Sequence, residues 1–246
     1  MTFRKIVPFL AESFTCYAFD LVGLGNSFSG ANEDYSSPGQ AGVLRHCLEE
    51  LGLFSCALLG NDSGGWVARE LALLLRDQVS HLILTNTEIP GYRPPWIPAY
   101  QALAHLPGGA VVFRQLLRSR RWRHSSMAFG NCFQDTDLID EEFGELFLSP
   151  LLNSPDRLNC SLRFLRHMSF RRMDEFRHLH GTLSMPVAFV WAAADPTFPE
   201  PKARDMALQF PHVERFTSIP EMKLFFHEEW PEAVASAVME CLAVVS

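Results

Sequence analysis

The chain has 246 residues, of which 48% are hydrophobic and 20% charged, and its formal net charge is −7 at pH 7. This composition excludes a disordered chain, and the acidic excess argues against nucleic acid as a partner because binding phosphates requires a basic surface. No apolar run reaches the roughly 20 residues of a membrane span and no leader-like segment follows Met1, so we expect a cytoplasmic protein that does not associate with membranes.

The first third of the chain predicts alternating strands and helices. Strand-forming residues at 14–19 lead into a glycine-rich turn, and the short apolar runs at 54–59 and 79–87 are typical of strands buried on both faces. Helices are predicted between these runs, at 39–51 and 65–77. Such alternation predicts a mostly parallel sheet flanked by helices.

The middle of the chain has a different character. Residues 92–183 are rich in arginine and are broken by prolines, and they predict helices at 113–122 and 161–172. The elements predicted after them are a strand at 186–192, a helix at 200–210, a strand near 213–219 and a helix from about 230 to 244. We therefore expect an α/β core made of residues 1–91 and 184–246, with a helical cap inserted at 92–183.

The candidate chemistry lies where a predicted strand meets a helix. Gly60, Asp62 and Gly64 form a G-x-D-x-G motif, which is typical of the sharp turn that presents a nucleophile, with aspartate where many hydrolases have serine. The glycines would leave room for a strained central residue. Ser63 does not fit the serine version, because Asn61 stands where a glycine is needed. The structural alternative is an aspartate that caps the following helix.

Three motifs resemble those of the α/β-hydrolases, and within them the branch of haloalkane dehalogenases and epoxide hydrolases that uses an aspartate nucleophile. DLVGLGNS at 20–27 resembles the family's D-x-x-G-x-G-x-S loop, GNDSGG at 60–65 its nucleophile turn, and VWAAADPTFP at 190–199 its acid-bearing strand end. The stretch at 227–242 resembles the last helix of the family. The resemblance covers nearly the whole chain, and it implies an α/β-hydrolase fold with a helical cap.

The resemblance also implies a mechanism. Asp62 would attack a carbon bearing a halide or an epoxide oxygen and form an alkyl ester, which a histidine oriented by a second carboxylate would hydrolyse with water. The backbone N–H of Ser63 would stabilise an oxyanion, and Ser63 and Asn61 are the candidate substrate-binding residues. Asp195 matches the position at which the family usually has this second carboxylate. Glu88 matches the position that it has in some dehalogenases. Asp195 could instead simply form a turn, and Glu88 could be a charge on the rim of the site.

The sequence departs from the family pattern at the catalytic base. In the pattern H-F-x-x-E-x-x-P-E, alignment on Pro231 and Glu232 puts Leu224 at the position of the histidine, and His227 follows three residues later. His227 could serve as the base through a one-turn shift, or it could be a surface histidine at the start of a helix. Leucine cannot accept a proton, so ester hydrolysis would lose its base while esterification of Asp62 could still occur.

A second departure concerns the N-terminus. The sequence opens with FRKIVPFLAES, which is similar to the helix after the family's H-G-x-P loop, so the resemblance implies a fold whose N-terminal strands are missing. One of those strands lies in the family between the strand predicted at 14–19 and the one predicted at 54–59. Many dehalogenases also have a tryptophan where this sequence has Ser63. Epoxide opening uses tyrosines of the cap, for which Tyr92 and Tyr100 are the candidates.

The sequence leaves two functional hypotheses. One is a hydrolase of the aspartate-nucleophile branch, haloalkane dehalogenase-like or epoxide hydrolase-like, that acts on a small apolar molecule. The other is a truncated or degenerate homologue without turnover. The six cysteines and nine histidines show no metal-ligand spacing, so we expect no metal and no cofactor, and we expect the cysteines to be buried or half-buried thiols.

Overall fold

The computed structural model describes residues 2–27 and 33–242, and within them it contains a four-stranded sheet in the order β1-β2-β3-β4. The strands are β1 (Cys56–Asn61), β2 (Val79–Thr85), β3 (Val187–Ala192) and β4 (Val213–Ile219). All three neighbouring pairs are parallel. The carboxyl ends of the strands therefore lie at one edge of the sheet, and the predicted α/β fold is confirmed.

Helices surround this sheet. They are α1 (Val7–Leu10), α2 (Ser37–Glu50), α3 (Ser63–Leu75), α4 (Trp96–His105), α5 (Gly109–Arg118), α6 (Arg120–Arg123), α7 (Ser149–Asn153), α8 (Pro155–His167), α9 (Phe170–Leu179), α10 (Glu200–Ala207), α11 (Phe226–Glu229) and α12 (Pro231–Leu242). Short 3₁₀ turns occupy Thr2–Lys5, Arg76–Gln78, Phe129–Asn131, Thr136–Ile139 and His180–Thr182, and a π turn occupies Gly144–Leu148.

The central strand β3 is buried along its whole length. Its alternate side chains point to opposite faces, as the strand period of two requires. Phe189 and Trp191 pack into the larger hydrophobic cluster, which includes residues of α3 and α10, whereas Ala188 and Val190 pack into a second cluster formed with α1 and α12. Burial on both faces explains why the apolar run of this strand is continuous rather than alternating.

Residues 14–19, predicted to form a strand, are not in the sheet, so that prediction is wrong. Phe14, Tyr17 and Phe19 are 41%, 47% and 38% exposed. β1 is the outermost strand on this side of the described sheet, and only its last two residues are fully buried, which corrects the expectation of a strand buried on both faces. Aromatic and β-branched residues favour a strand only where a neighbour pairs with it, and in the described chain no strand pairs with 14–19.

Between β2 and β3 the chain forms helices and turns, α4 to α9, which we call the helical insertion. The helix predicted at 113–122 is divided at Ser119, and the one predicted at 161–172 is divided before Ser169. In both places the serine side chain accepts a hydrogen bond from a backbone N–H of the next helix and so starts a new helix. The limits of 92 and 183 for a separate cap domain stay a prediction.

Across the two described ranges, no helix combines the length and the apolar character that are needed to cross a bilayer. All six cysteines are free thiols, three of them buried and three partly buried, which confirms that prediction. Within the same ranges, no three histidine, cysteine or acidic side chains are arranged to hold a metal ion.

Candidate active site

Asp62 lies at the turn between β1 and α3, with a φ of 50°. A residue with a side chain seldom adopts this left-handed conformation, and it persists here because the surrounding hydrogen bonds impose it. The Asp62 N–H donates to the Asn86 carbonyl at 2.9 Å, and the Asp62 carbonyl accepts from the Gly65 N–H at 2.8 Å and from Thr87 Oγ1 at 2.7 Å. The Asp62 side chain makes no capping hydrogen bond to α3, so the helix-cap alternative is wrong.

Two glycines allow the close packing at this turn. A Cβ atom on Gly60 would lie 2.5 Å from the Cα of Gly65, and a Cβ atom on Gly65 would lie 2.5 Å from Thr87 Oγ1. A Cβ atom on Gly64 would have no neighbour within 4 Å. The second glycine that the turn requires is therefore Gly65, and not Gly64 as the G-x-D-x-G motif predicted.

Three carboxylates meet beside this turn. Asp62, Glu88 and Asp195 follow the carboxyl ends of β1, β2 and β3, three adjacent parallel strands. Burial raises the pKa of Asp62 well above its usual range, and the charges of Glu88 and Asp195 raise it further, against a hydrogen bond from the Ser63 N–H. The structure thus brings together three of the four residues predicted to be catalytic.

Glu88 is only 8% exposed, so it is not a charge on the rim of the site. Thr87 Oγ1 lies 2.9 Å from Glu88 Oε2 as well as 2.7 Å from the Asp62 carbonyl oxygen, so its single proton can be donated to either. Burial raises the pKa of Glu88, while the charge of Arg69 and hydrogen bonds that include the Ser63 hydroxyl act in the opposite direction.

Arg69 is a fully buried guanidinium beneath these carboxylates. It donates to the carbonyl oxygens of Gly65 at 3.1 Å and Glu88 at 2.9 Å, and to Thr87 Oγ1 at 3.3 Å. Burial lowers the pKa of Arg69 to about 10. The sequence analysis missed this residue, although an arginine inside the otherwise apolar first half of a helix was a signal that could have found it.

Asp195 is held by amide donors. Its carboxylate accepts from Asn86 Nδ2 at 2.8 Å, from the Thr197 N–H at 2.8 Å and from the Phe198 N–H at 3.3 Å. Burial raises its pKa, and these hydrogen bonds oppose that shift. Asn86, which the sequence analysis also missed, makes two further hydrogen bonds to the backbone of Ala192 in β3, at 2.7 and 3.1 Å.

The structure does not bring His227 to Asp62. The imidazole is 1% exposed, so it is not a surface histidine, and it packs against Phe3 with ring centroids 5.2 Å apart. Neither ring nitrogen has a hydrogen-bond partner in the described protein. Burial, with the charge of Arg4, lowers the pKa of His227 to about 3. This histidine is therefore neutral near pH 7.

Leu224 is 4% exposed, and it lines a cavity that Asp62 also lines. Its backbone carbonyl accepts from Asn61 Nδ2 at 3.3 Å, and the same nitrogen lies 3.4 Å from the Thr85 carbonyl oxygen. Asn61, predicted to bind substrate, thus fixes the loop after β4 against the end of β1.

Two cavities meet at Asp62 and Ser63. The first, which we call the aromatic cavity, has a volume of about 320 Å³ and lies between the sheet edge and the helical insertion. Asp62, Ser63, Glu88 and Leu224 belong to its lining, and the other lining residues are mostly apolar, with aromatic rings that include Trp66, Trp96, Tyr100, Phe113, Trp122 and Phe164. The second, which we call the loop cavity, has a volume of about 410 Å³ and extends toward Asp20, Asn26 and Arg157.

Among the described residues, no lysine or arginine lines the aromatic cavity. Arginines of the helical insertion pair with carboxylates elsewhere: Arg123 contacts Asp140 at 2.5 Å, and Arg172 contacts the buried Glu70 at 2.6 Å. The aromatic cavity therefore does not suit an anionic molecule, because burying one would leave its negative charge without a cationic partner.

Comparisons with known proteins agree with this architecture. The chain is 22% identical to Haloalkane dehalogenase 2 of Mycobacterium tuberculosis over 246 residues, covering 97% of this chain and 82% of that protein. An alpha/beta hydrolase fold protein from Burkholderia ambifaria superposes with a TM-score of 0.79 at 21% identity, over 97% of this chain and 85% of that one. The epoxide hydrolase CorEH superposes with the same TM-score and identity, over 100% and 87%.

A sequence model described as alpha/beta hydrolase fold matches residues 2–229, which include the turn at Asp62, the helical insertion and the end of β3. The strand order, the turn at Asp62 and this match agree with one another. The chain belongs to the alpha/beta hydrolase fold family.

Proposed function

We propose that this hydrolase uses Asp62 as a nucleophile on an sp³ carbon of a small, neutral, apolar molecule, in the manner of a haloalkane dehalogenase. A carboxylate oxygen forms a bond to the carbon, the carbon–halogen bond breaks, and the halide leaves with the electron pair. The product is an alkyl ester of Asp62. The observation that carries this proposal is the position of Asp62. It lies on a strained turn, its side chain does not cap the following helix, and it lines the aromatic cavity.

The lining of the cavity supports this class of substrate. A volume of about 320 Å³ lies at the small end of the range for small-molecule sites, and aromatic walls favour apolar molecules. The low-dielectric surroundings also strip water from the carboxylate once it is ionised, which increases its reactivity.

An epoxide is the second candidate substrate, and two tyrosines favour it. Opening an epoxide leaves an alkoxide that needs a proton, and the side chains of Tyr92 and Tyr100 both line the aromatic cavity. Burial raises the pKa of Tyr100 to about 12, so its hydroxyl is protonated at neutral pH and can act as the donor.

Mass spectrometry of the intact protein tests the proposal. The protein is incubated with a panel of chloro-, bromo- and iodoalkanes and of epoxides, and the mass of the protein, the released halide and the alcohol or diol are measured over time. We expect a mass increase equal to the alkyl group, located on Asp62 by peptide sequencing, or steady release of product.

The variant Asp62→Asn keeps the size of the side chain but removes the nucleophile, and it should give neither adduct nor product. An adduct or product formed equally by this variant would refute the role of Asp62. Unmodified protein and no product across the whole panel would refute both candidate substrates.

A further inference from the structure

The aromatic cavity poses a chemical problem for the second half of the reaction. Hydrolysis of an alkyl ester on Asp62 needs a group that takes a proton from water, and the position expected to supply it is Leu224. In the described chain no histidine lines either cavity. Apart from Asp62 itself, Glu88 is the carboxylate in the lining of the aromatic cavity.

We propose that Glu88 is the general base that hydrolyses the Asp62 ester, in place of a histidine. This inference rests on the proposed function, because it concerns the ester that the first step forms. It also changes the expected role of Glu88, from a residue that orients a histidine to one that acts on water directly.

The Glu88 carboxylate takes a proton from water, and the water oxygen bonds to the carbonyl carbon of the Asp62 ester. The tetrahedral intermediate then collapses, the bond from that carbon to the alkoxy oxygen breaks, and the protonated Glu88 returns its proton to the departing alkoxide. The products are the alcohol, the free carboxylic acid of Asp62 and the Glu88 carboxylate, which is ready for another cycle.

The placement of Glu88 supports this role. Glu88 lines the aromatic cavity together with Asp62, and its negative charge raises the pKa of Asp62. Once Asp62 is esterified its own negative charge is gone, so the charge on Glu88 no longer faces a like charge there. Arg69 donates a hydrogen bond to the Glu88 backbone, so its positive charge lies near the Glu88 carboxylate. This charge favours the ionised form of Glu88.

Asp195 is a poorer candidate for the same task. Asn86 and two backbone N–H groups already occupy its carboxylate oxygens, and the side chain does not line the aromatic cavity. A base must reach the water that it activates, and of these two carboxylates only Glu88 lines the cavity.

The experiment compares the wild type with Glu88→Gln, with Glu214→Gln as the matched control. Glu214 is a partly buried glutamate at the start of β4, at the opposite edge of the sheet from the site. Each protein is mixed with a haloalkane that the panel identifies, the reaction is quenched at intervals, and ester and alcohol are measured by mass spectrometry. Circular dichroism verifies folding.

We expect the wild type and Glu214→Gln to release alcohol repeatedly, and Glu88→Gln to stop after one equivalent with the ester retained, its hydrolysis at least 100-fold slower. Hydroxylamine, a nucleophile that needs no general base, should release the retained ester. The conservative variant Glu88→Asp, whose carboxylate is set back by one methylene, should restore part of the turnover.

Two results would overturn the inference while leaving the nucleophile intact: repeated turnover by Glu88→Gln at the wild-type rate, or a stable ester that the wild type itself fails to hydrolyse. If Glu88→Gln does not fold, a folded Glu88→Asp that forms the ester but releases no alcohol also counts against it. An absence of both ester and product in the wild type would instead reject the proposed function.

Discussion

The side-chain amide of Asn61 donates to the backbone carbonyl of Leu224, 3.3 Å away, and so joins the residue before Asp62 to the loop after β4. This contact places a leucine where a proton acceptor would be expected to lie. A base introduced at position 224 would line the same cavity as Asp62.

In the Glu88→Gln background, Leu224→His should accelerate hydrolysis of the Asp62 ester by about 10- to 100-fold, because a well-positioned general base contributes roughly 10²- to 10⁴-fold and this histidine has no partner to orient it. Rapid-quench measurement of ester decay checks this. Leu224→Met conserves volume but cannot accept a proton, so it should leave the decay unchanged. In the Glu88→Gln background the histidine should restore turnover, and its failure to do so would show that position 224 does not face the ester.

Gly65→Ala should destabilise the protein by about 1–3 kcal/mol, because the added Cβ would lie 2.5 Å from Thr87 Oγ1 and the packed turn has to shift. Gly64→Ala is the matched control. Its Cβ meets nothing within 4 Å, and alanine in place of glycine in a helix stabilises by roughly 0.5–1 kcal/mol. Urea unfolding of both variants gives the comparison, and equal effects would contradict the described turn.

Arg69→Met should lower the free energy of unfolding by about 3–5 kcal/mol, because it removes the donor of three buried hydrogen bonds and the charge beside Glu88. It should also raise the pKa of Glu88 further, since the charge of Arg69 opposes the existing shift. Arg171→Met, at a side chain that is 92% exposed, should change stability by less than about 0.5 kcal/mol. Urea unfolding checks the stabilities.

The rate of ester formation should rise with pH, because only the ionised form of Asp62 attacks carbon and its pKa is raised by burial and by Glu88. Single-turnover alkylation measured from acid to alkaline pH tests this. A rate that is flat across that range would show that Asp62 is ionised throughout.

Stability should follow the opposite trend. The pKa of Asp62 is higher in the folded than in the unfolded chain. The contribution of Asp62 to the free energy of unfolding is therefore fully present below its unfolded pKa of about 3.9, and it is lost as the pH rises through its folded pKa. Asp62→Asn carries no charge at any pH, so its stability relative to the wild type should increase as pH rises. Thermal unfolding across the pH range measures the difference, and a constant difference would contradict the raised pKa.

The sequence predicted the strands β2 to β4 and the position of three carboxylates because continuous apolar runs and strand ends are local features. It predicted a strand at 14–19 from local propensity as well, but pairing depends on a neighbour that propensity does not reveal. The position of the His227 ring could not be predicted for a related reason. A spacing of three residues in the sequence could not show whether its ring points to Asp62 or to Phe3.

The residues that hold the site together were harder to find. Asn86 and Arg69 act through contacts with chain segments distant in sequence, and no motif marks them. The choice between Gly64 and Gly65 likewise depended on how closely Thr87 approaches the turn. Such distances follow from tertiary packing and not from local pattern.

Asn86 binds the backbone N–H of Asp62 with its carbonyl, and with its side chain it binds Asp195 and the end of β3. The ends of β1 and β3 are therefore tied together, whereas much of the cavity lining consists of apolar side chains from the helical insertion. Side chains of the insertion can be exchanged without disturbing the hydrogen bonds around Asp62. The fold thus separates the part of the protein that must stay constant during evolution from the part that is free to diversify.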